Sequence, residues 1–343
     1  MRKKIESLSQ KQNAFLILIF LCFLVAFPVV VNSGFFMRVV VFVFIYAILS
    51  MSSMLILGYG GMLNIGHVAF YGLGAYTSTL LSVNFGVPFI VCFVAAGIVG
   101  AIFGLVLAIP CLRVAVDFLS LITLAFLQLF VAVATNWYSL TKGPLGIAGV
   151  PSPSFFGFRL NTQIRYYYLA LIAVVICYIV LKRLVKSPFG RALEAIRDDE
   201  IAARAVGIDV NRYKVEAFAI GSAIAGLAGS LMVHYIRFVG PTMFTIETSL
   251  LVMQMNILGG LGSLVGAIFG AAFFVIVPEI IRPLAVYRMG LGGVIMLLVI
   301  LIRPQGVFGS IAFAGDGGIL DKRIAALKKL RAGKRQSGNR RER

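Results

Sequence analysis

The chain has 343 residues, of which 60% are hydrophobic and 13% charged, whereas soluble domains carry about 25% charged residues. That balance excludes a soluble enzyme or soluble binding module and marks an integral membrane protein. The net charge of +18 does not argue for nucleic acid, because the Lys and Arg cluster beside apolar runs: residues 1–13 hold four, 182–214 hold eight and 303–343 hold eleven. By the positive-inside rule these three segments are cytoplasmic. A polybasic tail is drawn to anionic membrane lipid more simply than to DNA.

In chain order, residues 1–13 are a basic cytoplasmic N-terminus, and Ala14–Val31 is the first span. At about 18 residues it is long enough to cross, and no A-x-A cleavage site follows it. Phe35–Leu57, Leu63–Val83, Val87–Ile109 and Val114–Thr135 follow as spans, and residues 136–164 form a Gly-, Pro- and Ser-rich external loop. Arg165–Leu181 returns to a polar cytoplasmic segment, 187–214, and Val215–Tyr235 goes out again. From Glu247 to Ile302 the chain is apolar but interrupted by glycines, Pro278 and Pro283. It divides into a short span, one ending near Pro278 and a last one through Met289–Ile302. The expected fold is all-α, a polytopic transmembrane helix bundle over residues 14–302. It has about ten spans, or eight or nine plus a re-entrant piece. Both termini are cytoplasmic, with residues 303–343 as a basic tail.

The longest polar interval is Ser187–Lys214. Ser187 and Pro188 form an N-cap and N1 pair, Leu193, Ile196 and Ala203 recur at helical spacing, and Gly207 sits where a C′ glycine ends a helix. The pattern predicts one amphipathic, mixed-charge helix between two spans. Its apolar side must be covered by lipid headgroups or by another protein.

Two stretches are too glycine-rich for plain spans. Residues 58–76 include Gly58, Gly61 and Gly66, and residues 258–270 include Gly259, Gly260 and Gly262. Small residues let helices approach closely. Glycines this dense also break helices, and the freed backbone groups must then face protein or water. Transporters with internal repeats place such breaks in corresponding positions of their halves, so a weak two-half pseudo-repeat is expected. Close helix packing by itself accounts for the glycines equally well.

Polar side chains in a bilayer are costly. Asn64, His67, Gln128, Gln254 and Asn256 form the interior polar set, either as candidate pathway residues or as interhelical hydrogen-bonding groups. No Asp/Glu/His relay, Arg-rich voltage sensor or TVGYG filter occurs. Cys22, Cys92, Cys111 and Cys177 show no CxxC spacing, and two histidines do not make a three-ligand metal site. With no G-x-S-x-G and no G-x-x-x-x-G-K-[ST], no catalytic, metal or cofactor-binding residue is expected. If ATP drives the chain, another subunit binds it.

Several blocks resemble one family. Gly58-Tyr-Gly-Gly-Met-Leu-Asn64-Ile-Gly66-His67 through Tyr76 is similar to the "GYAGQLSLGHAAFFGIGAY" block of branched-chain amino acid ABC-transporter permeases of the LivM type. Ser187-Pro-Phe-Gly-Arg191 through Arg197, Ala203 and Gly207 resembles their cytoplasmic loop. Leu258-Gly-Gly-Leu-Gly-Ser263, Arg303-Pro-Gln-Gly306-Val-Phe-Gly309 and the external Lys142-Gly-Pro-x-Gly146 block match in the same order. The departures are Met62-Leu63-Asn64 in place of Gln-Leu-Ser and a long basic tail after Gly309.

The resemblance implies one of two transmembrane subunits of a binding-protein-dependent importer in the bacterial cytoplasmic (inner) membrane. Its partners would be two ATP-binding subunits, a second permease of the LivH type and a periplasmic substrate-binding protein. The 187–214 loop would couple to the ATPases through Arg191, Glu194, Arg197, Glu200, Ala202, Ala203 and Gly207. The external loops 136–164 and 237–246 would meet the receptor. The competing readings are a self-contained channel or secondary transporter for a small polar solute such as urea or an amide, and a non-transporting scaffold.

Overall fold

The computed structural model describes residues 33–111, 116–155, 158–159, 161–280 and 306–309, with isolated positions between 25 and 28 and between 290 and 301. Apart from those positions, the basic N-terminus, the first and last predicted spans and the tail beyond Gly309 lie outside the described residues. Helix α1 (Gly34–Met54) runs on into a π-helical turn, Leu55–Tyr59. Next come α2 (His67–Asn84), α3 (Phe89–Cys111), α4 (Val116–Asn136) and the single turn α5 (Tyr138–Thr141). α6 (Gln163–Lys186) leads into a short pair, α7 (Pro188–Asp198) and α8 (Glu200–Ala205). The long α9 (Val210–Ile236), α10 (Ile246–Gly259) and α11 (Leu264–Ile280) follow.

Among the described residues, five helices are long and apolar enough to cross a membrane. They are Gly34–Tyr59, Phe89–Pro110, Phe118–Asn136, Gln163–Lys186 and Val210–Ile236, with mean hydropathies from 1.6 to 2.8. α10 has only 14 residues; at 1.5 Å per residue it covers about 21 Å, short of the ~30 Å hydrocarbon core. The predicted span Leu63–Val83 also starts later than its hydropathy implies, at His67. The backbone of Ile65 is held by side chains instead of a helix: its N–H donates to Thr123 Oγ1 at 3.1 Å, and its carbonyl accepts from the Ser249 hydroxyl.

α9 is the central element, packed against α1, α2 and α3. The approach is close because its packing face is built from small residues. A Cβ added to Gly74 of α2 would stand 2.2 Å from the Gly226 carbonyl oxygen, which leaves no room for any side chain there. This is the small-residue packing that replaces hydrophobic drive between helices in lipid. The 136–164 loop is not wholly irregular: β1 (Ile147–Ala148) pairs antiparallel with β4 (Phe238–Val239), and β2 (Ser154–Phe155) with β3 (Phe158–Arg159). The β1–β4 pair ties the loop between α4 and α6 to the one between α9 and α10.

Candidate functional site

Residues 187–214 fold locally for reasons their sequence states. The Ser187 Oγ accepts from Phe189 N at 3.2 Å and Pro188 occupies the first turn, so α7 starts there. The single helix expected up to Gly207 is in fact two. Asp199 is extended (φ −160°, ψ 106°) and ends α7; its carboxylate then caps α8, accepting from Ile201 N at 2.9 Å and Ala202 N at 3.0 Å. An aspartate that can satisfy the orphan donors of a new helix offers the backbone an alternative to continuing the old one. α8 closes as the C′ glycine predicts. Gly207 has φ +87°, its N–H donates to Arg204 O at 3.0 Å and Ile208 N donates to Ala203 O at 3.1 Å, the paired bonds of a Schellman motif.

The apolar faces of these helices divide between two covers. Leu193, Ile196, Ala203 and Val210 are buried within the chain, so Ala203 is a packing residue here. Ile201 and Val206 point the other way, 82% and 77% exposed, beside exposed Ala202 and Gly207. Arg191 is exposed and donates to Lys186 O at 3.1 Å, while Glu194 is half-buried on α7. Glu200 holds α8 to α9, accepting from Arg204 at 2.8 Å and from Lys214 at 2.6 Å. Partial burial works to raise its pKa, but the Lys214 ammonium and Arg204 guanidinium outweigh it and hold the carboxyl below the ordinary value of 4.5. A depressed folded-state pKa stabilises the fold above the unfolded value and is lost as pH falls through the folded one. Glu200→Gln should therefore loosen α8 at neutral pH but make no difference in strong acid. The effect should be small, below about 1 kcal/mol given partial exposure, and amide exchange of α8 measured against pH would read it.

Arg197, at the end of α7, reaches out of this segment into the bundle. Its Nη1 donates to the Gly58 carbonyl at 2.9 Å, while Nε and Nη2 both hold Asp198 Oδ1. Gly58 lies in the π-turn that ends α1, where a carbonyl has lost its helical partner and a cation complements the helix dipole. Gly61, just beyond, has φ +66°, and a Cβ there would stand 2.7 Å from Arg197 Cγ. The α10–α11 break meets the same spot. A Cβ on Gly58 would be 2.8 Å from Gly262 N, and that N–H lies 3.3 Å from Met54 Sδ. Gly259 is the last residue of α10, Gly260 and Gly262 have positive φ in its break, and Gly66 caps α2. The carbonyls of Leu258 and Gly259 accept from Val307 N at 2.9 Å and Phe308 N at 3.0 Å. Two broken helices, the 187–214 segment and the stretch around Gly306 thus converge on one junction.

The interior polar set does not converge in the same way. His67 and Asn64 are buried together, Nδ2 of Asn64 lying 3.5 Å from His67 Nδ1, and Ser52 Oγ is 2.8 Å from His67 Nε2. Asn256 is buried elsewhere against α1, its Oδ1 accepting from Ser50 at 2.7 Å. Gln254 is half-buried. Gln128 is exposed in the isolated chain, on the face of α4 that also carries Leu121, Leu129 and Val133. A membrane helix is apolar all round, so periodicity alone could not tell its inner from its outer face.

Membrane-length helices, two glycine-broken helix pairs meeting at one junction and a polar helix pair docked there define a membrane permease. The sequence matches the family described as "Branched-chain amino acid transport system / permease component" over residues 35–302, and the chain belongs to that family. It is 35% identical over 326 residues to the high-affinity branched-chain amino acid transport system permease protein LivM of Salmonella typhimurium, covering 88% of this chain and 76% of the relative. The Escherichia coli K12 LivM is 34% identical over the same shares. The E. coli K12 LivH protein is 25% identical, covering 77% of this chain and 91% of its own.

Proposed function

We propose that this chain is one of two transmembrane subunits of an ATP-driven importer for branched-chain amino acids, or a related small polar solute, with ATP hydrolysed on two partner subunits. The observation that carries the reading is the 187–214 segment: an exposed apolar edge, Ile201 and Val206, on a helix pair whose Arg197 grips the junction of both broken helices. A segment so placed can receive movement from outside and hand it to the bundle as a rigid body. The two glycine breaks are the corresponding parts of a pseudo-repeat over residues 14–302. That domain sits in the bacterial inner membrane with both termini cytoplasmic and completes its ten or so spans with the first and last apolar runs. The pathway runs between this subunit and a LivH-type second permease, to which the exposed Gln128 on α4 is turned, since a lone amide is costly against lipid. Asn64, His67, Gln254 and Asn256 line the half contributed by this chain or set its helix packing, and a periplasmic binding protein delivers the solute.

Gentle affinity purification from native membranes tests the reading. Two ATP-binding subunits and a second permease are expected in stoichiometric amounts, with Gln128→Cys forming crosslinks to that second permease. A chain that purifies alone and conducts solute when reconstituted alone would overturn it in favour of a channel.

A further inference from the structure

We propose that the crevice between α6 and α9 binds one anionic phospholipid of the leaflet opposite the 187–214 segment. Arg38 and Arg237 hold its phosphate, and one acyl chain lies along the crevice. α6 and α9 each pack along α1 but barely touch each other, so α1 floors the gap between them. Arg38 stands twenty residues before Gly58, the partner of Arg197, on the same run of helix. That is about 30 Å, the hydrocarbon thickness of a bilayer. The mouth of the crevice therefore lies at the membrane surface far from 187–214.

The mouth is a cavity of about 520 Å³ whose lining includes Arg38, Phe42, Tyr166, His234, Tyr235 and Arg237. Below it lies an apolar groove of about 370 Å³, walled by Ile48 of α1, Phe89 of α3 and facing stripes of α6 and α9. The α6 stripe is Leu169, Ile172, Ala173, Ile176 and Val180, and the α9 stripe is Ile224, Leu227 and Leu231, both at helical spacing. Tyr166 and Tyr235 carry these stripes one turn further, into the mouth. The two cavities also meet through direct contacts. The Tyr166 hydroxyl donates to the Leu231 carbonyl, and Phe89 packs edge-on against His234 with ring centroids 4.9 Å apart. Ile48 stands fourteen residues into α1, about 21 Å deep. That exceeds the ~15 Å of one leaflet's hydrocarbon, so the groove has room for the length of a chain.

The mouth suits an anion. Arg237 is left-handed (φ 62°) and its Nη2 donates to Ser152 Oγ at 2.6 Å, which sets the guanidinium in place and leaves it further N–H donors. Among the described residues that line the mouth, none is an aspartate or glutamate; Glu247, exposed at the start of α10, is not one of them. A free amino acid would leave its ammonium without a carboxylate there, and any soluble anion would leave the groove uncovered. A phospholipid answers to both parts. Guanidiniums hold phosphate bidentately, and basic pockets between membrane helices take anionic headgroups by that chemistry. Two protein covers are disfavoured by position. Val25 and Phe27 of the first apolar run meet Tyr168 and Tyr167, which stand off the groove stripe on the other side of α6. α4, whose Gln128 the importer reading turns to the second permease, lines neither cavity.

The test uses the protein purified from native membranes with the subunits that accompany it, placed in phosphatidylcholine nanodiscs. A small fraction of the lipid is phosphatidylglycerol carrying a photoreactive diazirine midway along one chain. Labelling should concentrate on the peptides holding Leu169–Val180 and Ile224–Leu231, and the same probe on phosphatidylcholine should label them about tenfold less. Arg38→Gln with Arg237→Gln should erase that preference. Ile176→Trp fills the groove from a position 57% exposed, where it displaces little packing, and should block labelling by both lipids. An unchanged thermal unfolding midpoint reports that the variants are folded. Equal labelling by the two lipids in the wild type, or a preference that survives the Gln pair, would overturn the site. So would a groove that stays unlabelled while Ile176→Cys crosslinks to another subunit, which would assign the crevice to a protein partner.

Discussion

Replacing Arg197 by alanine should leave the transporter assembled and hydrolysing ATP at its basal rate while lowering uptake by about tenfold or more. The guanidinium's hydrogen bonds include one to the Gly58 carbonyl of α1 and two to Asp198 of its own helix, so it points two ways. A hydrogen bond to a charged donor contributes about 1.5–3 kcal/mol when sheltered, and this side chain is only 20% exposed. Losing it frees the end of α1 from α7 without opening a cavity in the bundle. Lysine should not rescue, because a point charge cannot grip the carbonyl and the carboxylate at once. Asp198→Asn, which touches only the exposed half of the arrangement, should cost little. Gly61→Ala approaches the same joint from the other side, since its Cβ would drive into Arg197 Cγ and its φ of +66° disfavours any side chain. The measurement is solute taken up per ATP hydrolysed in proteoliposomes. A ratio unchanged by Arg197→Ala would mean that movement reaches the bundle by another route.

Much of this junction was legible in the sequence, though not as a junction. The glycine density at 58–66 and 259–262 marked two breaks, because each glycine in an apolar run weakens the helix and several together end it. Gly207 marked the end of α8, because a C′ glycine is a local signal. Asp199 was missed: between Asp198 and Glu200 it reads as one of a charge run, and only its extended backbone shows that it stops one helix and caps the next. The bond from Arg197 to Gly58 joins residues 139 apart, and no periodicity carries that information. The same limit applies to the face of α4 on which Gln128 stands. In a chain whose lipid-facing and packed surfaces are equally apolar, composition places residues in the membrane but does not choose the face on which they stand.

The exposed edge of α8 carries the second large effect. Ile201→Asp with Val206→Asp should abolish retention of the ATP-binding subunits while leaving the permease itself folded. Both side chains are more than three-quarters exposed within the chain, so removing them costs the isolated subunit nothing in packing. Burying each against a partner would contribute about 1.5–3 kcal/mol. Losing both, and placing charge in their stead, therefore weakens association by at least about 100-fold. Ala203→Asp makes the informative contrast. Ala203 is 3% exposed, packed with Ile196 and Val210, so a carboxylate there should loosen α8 from α9 and show as increased amide exchange of the segment. The Ile201/Val206 pair should lose its partners with exchange unchanged. Full retention of the ATP-binding subunits by that pair, in detergent or in nanodiscs, would transfer the docking role away from α8 and leave its two exposed apolar side chains to the headgroup region of the membrane.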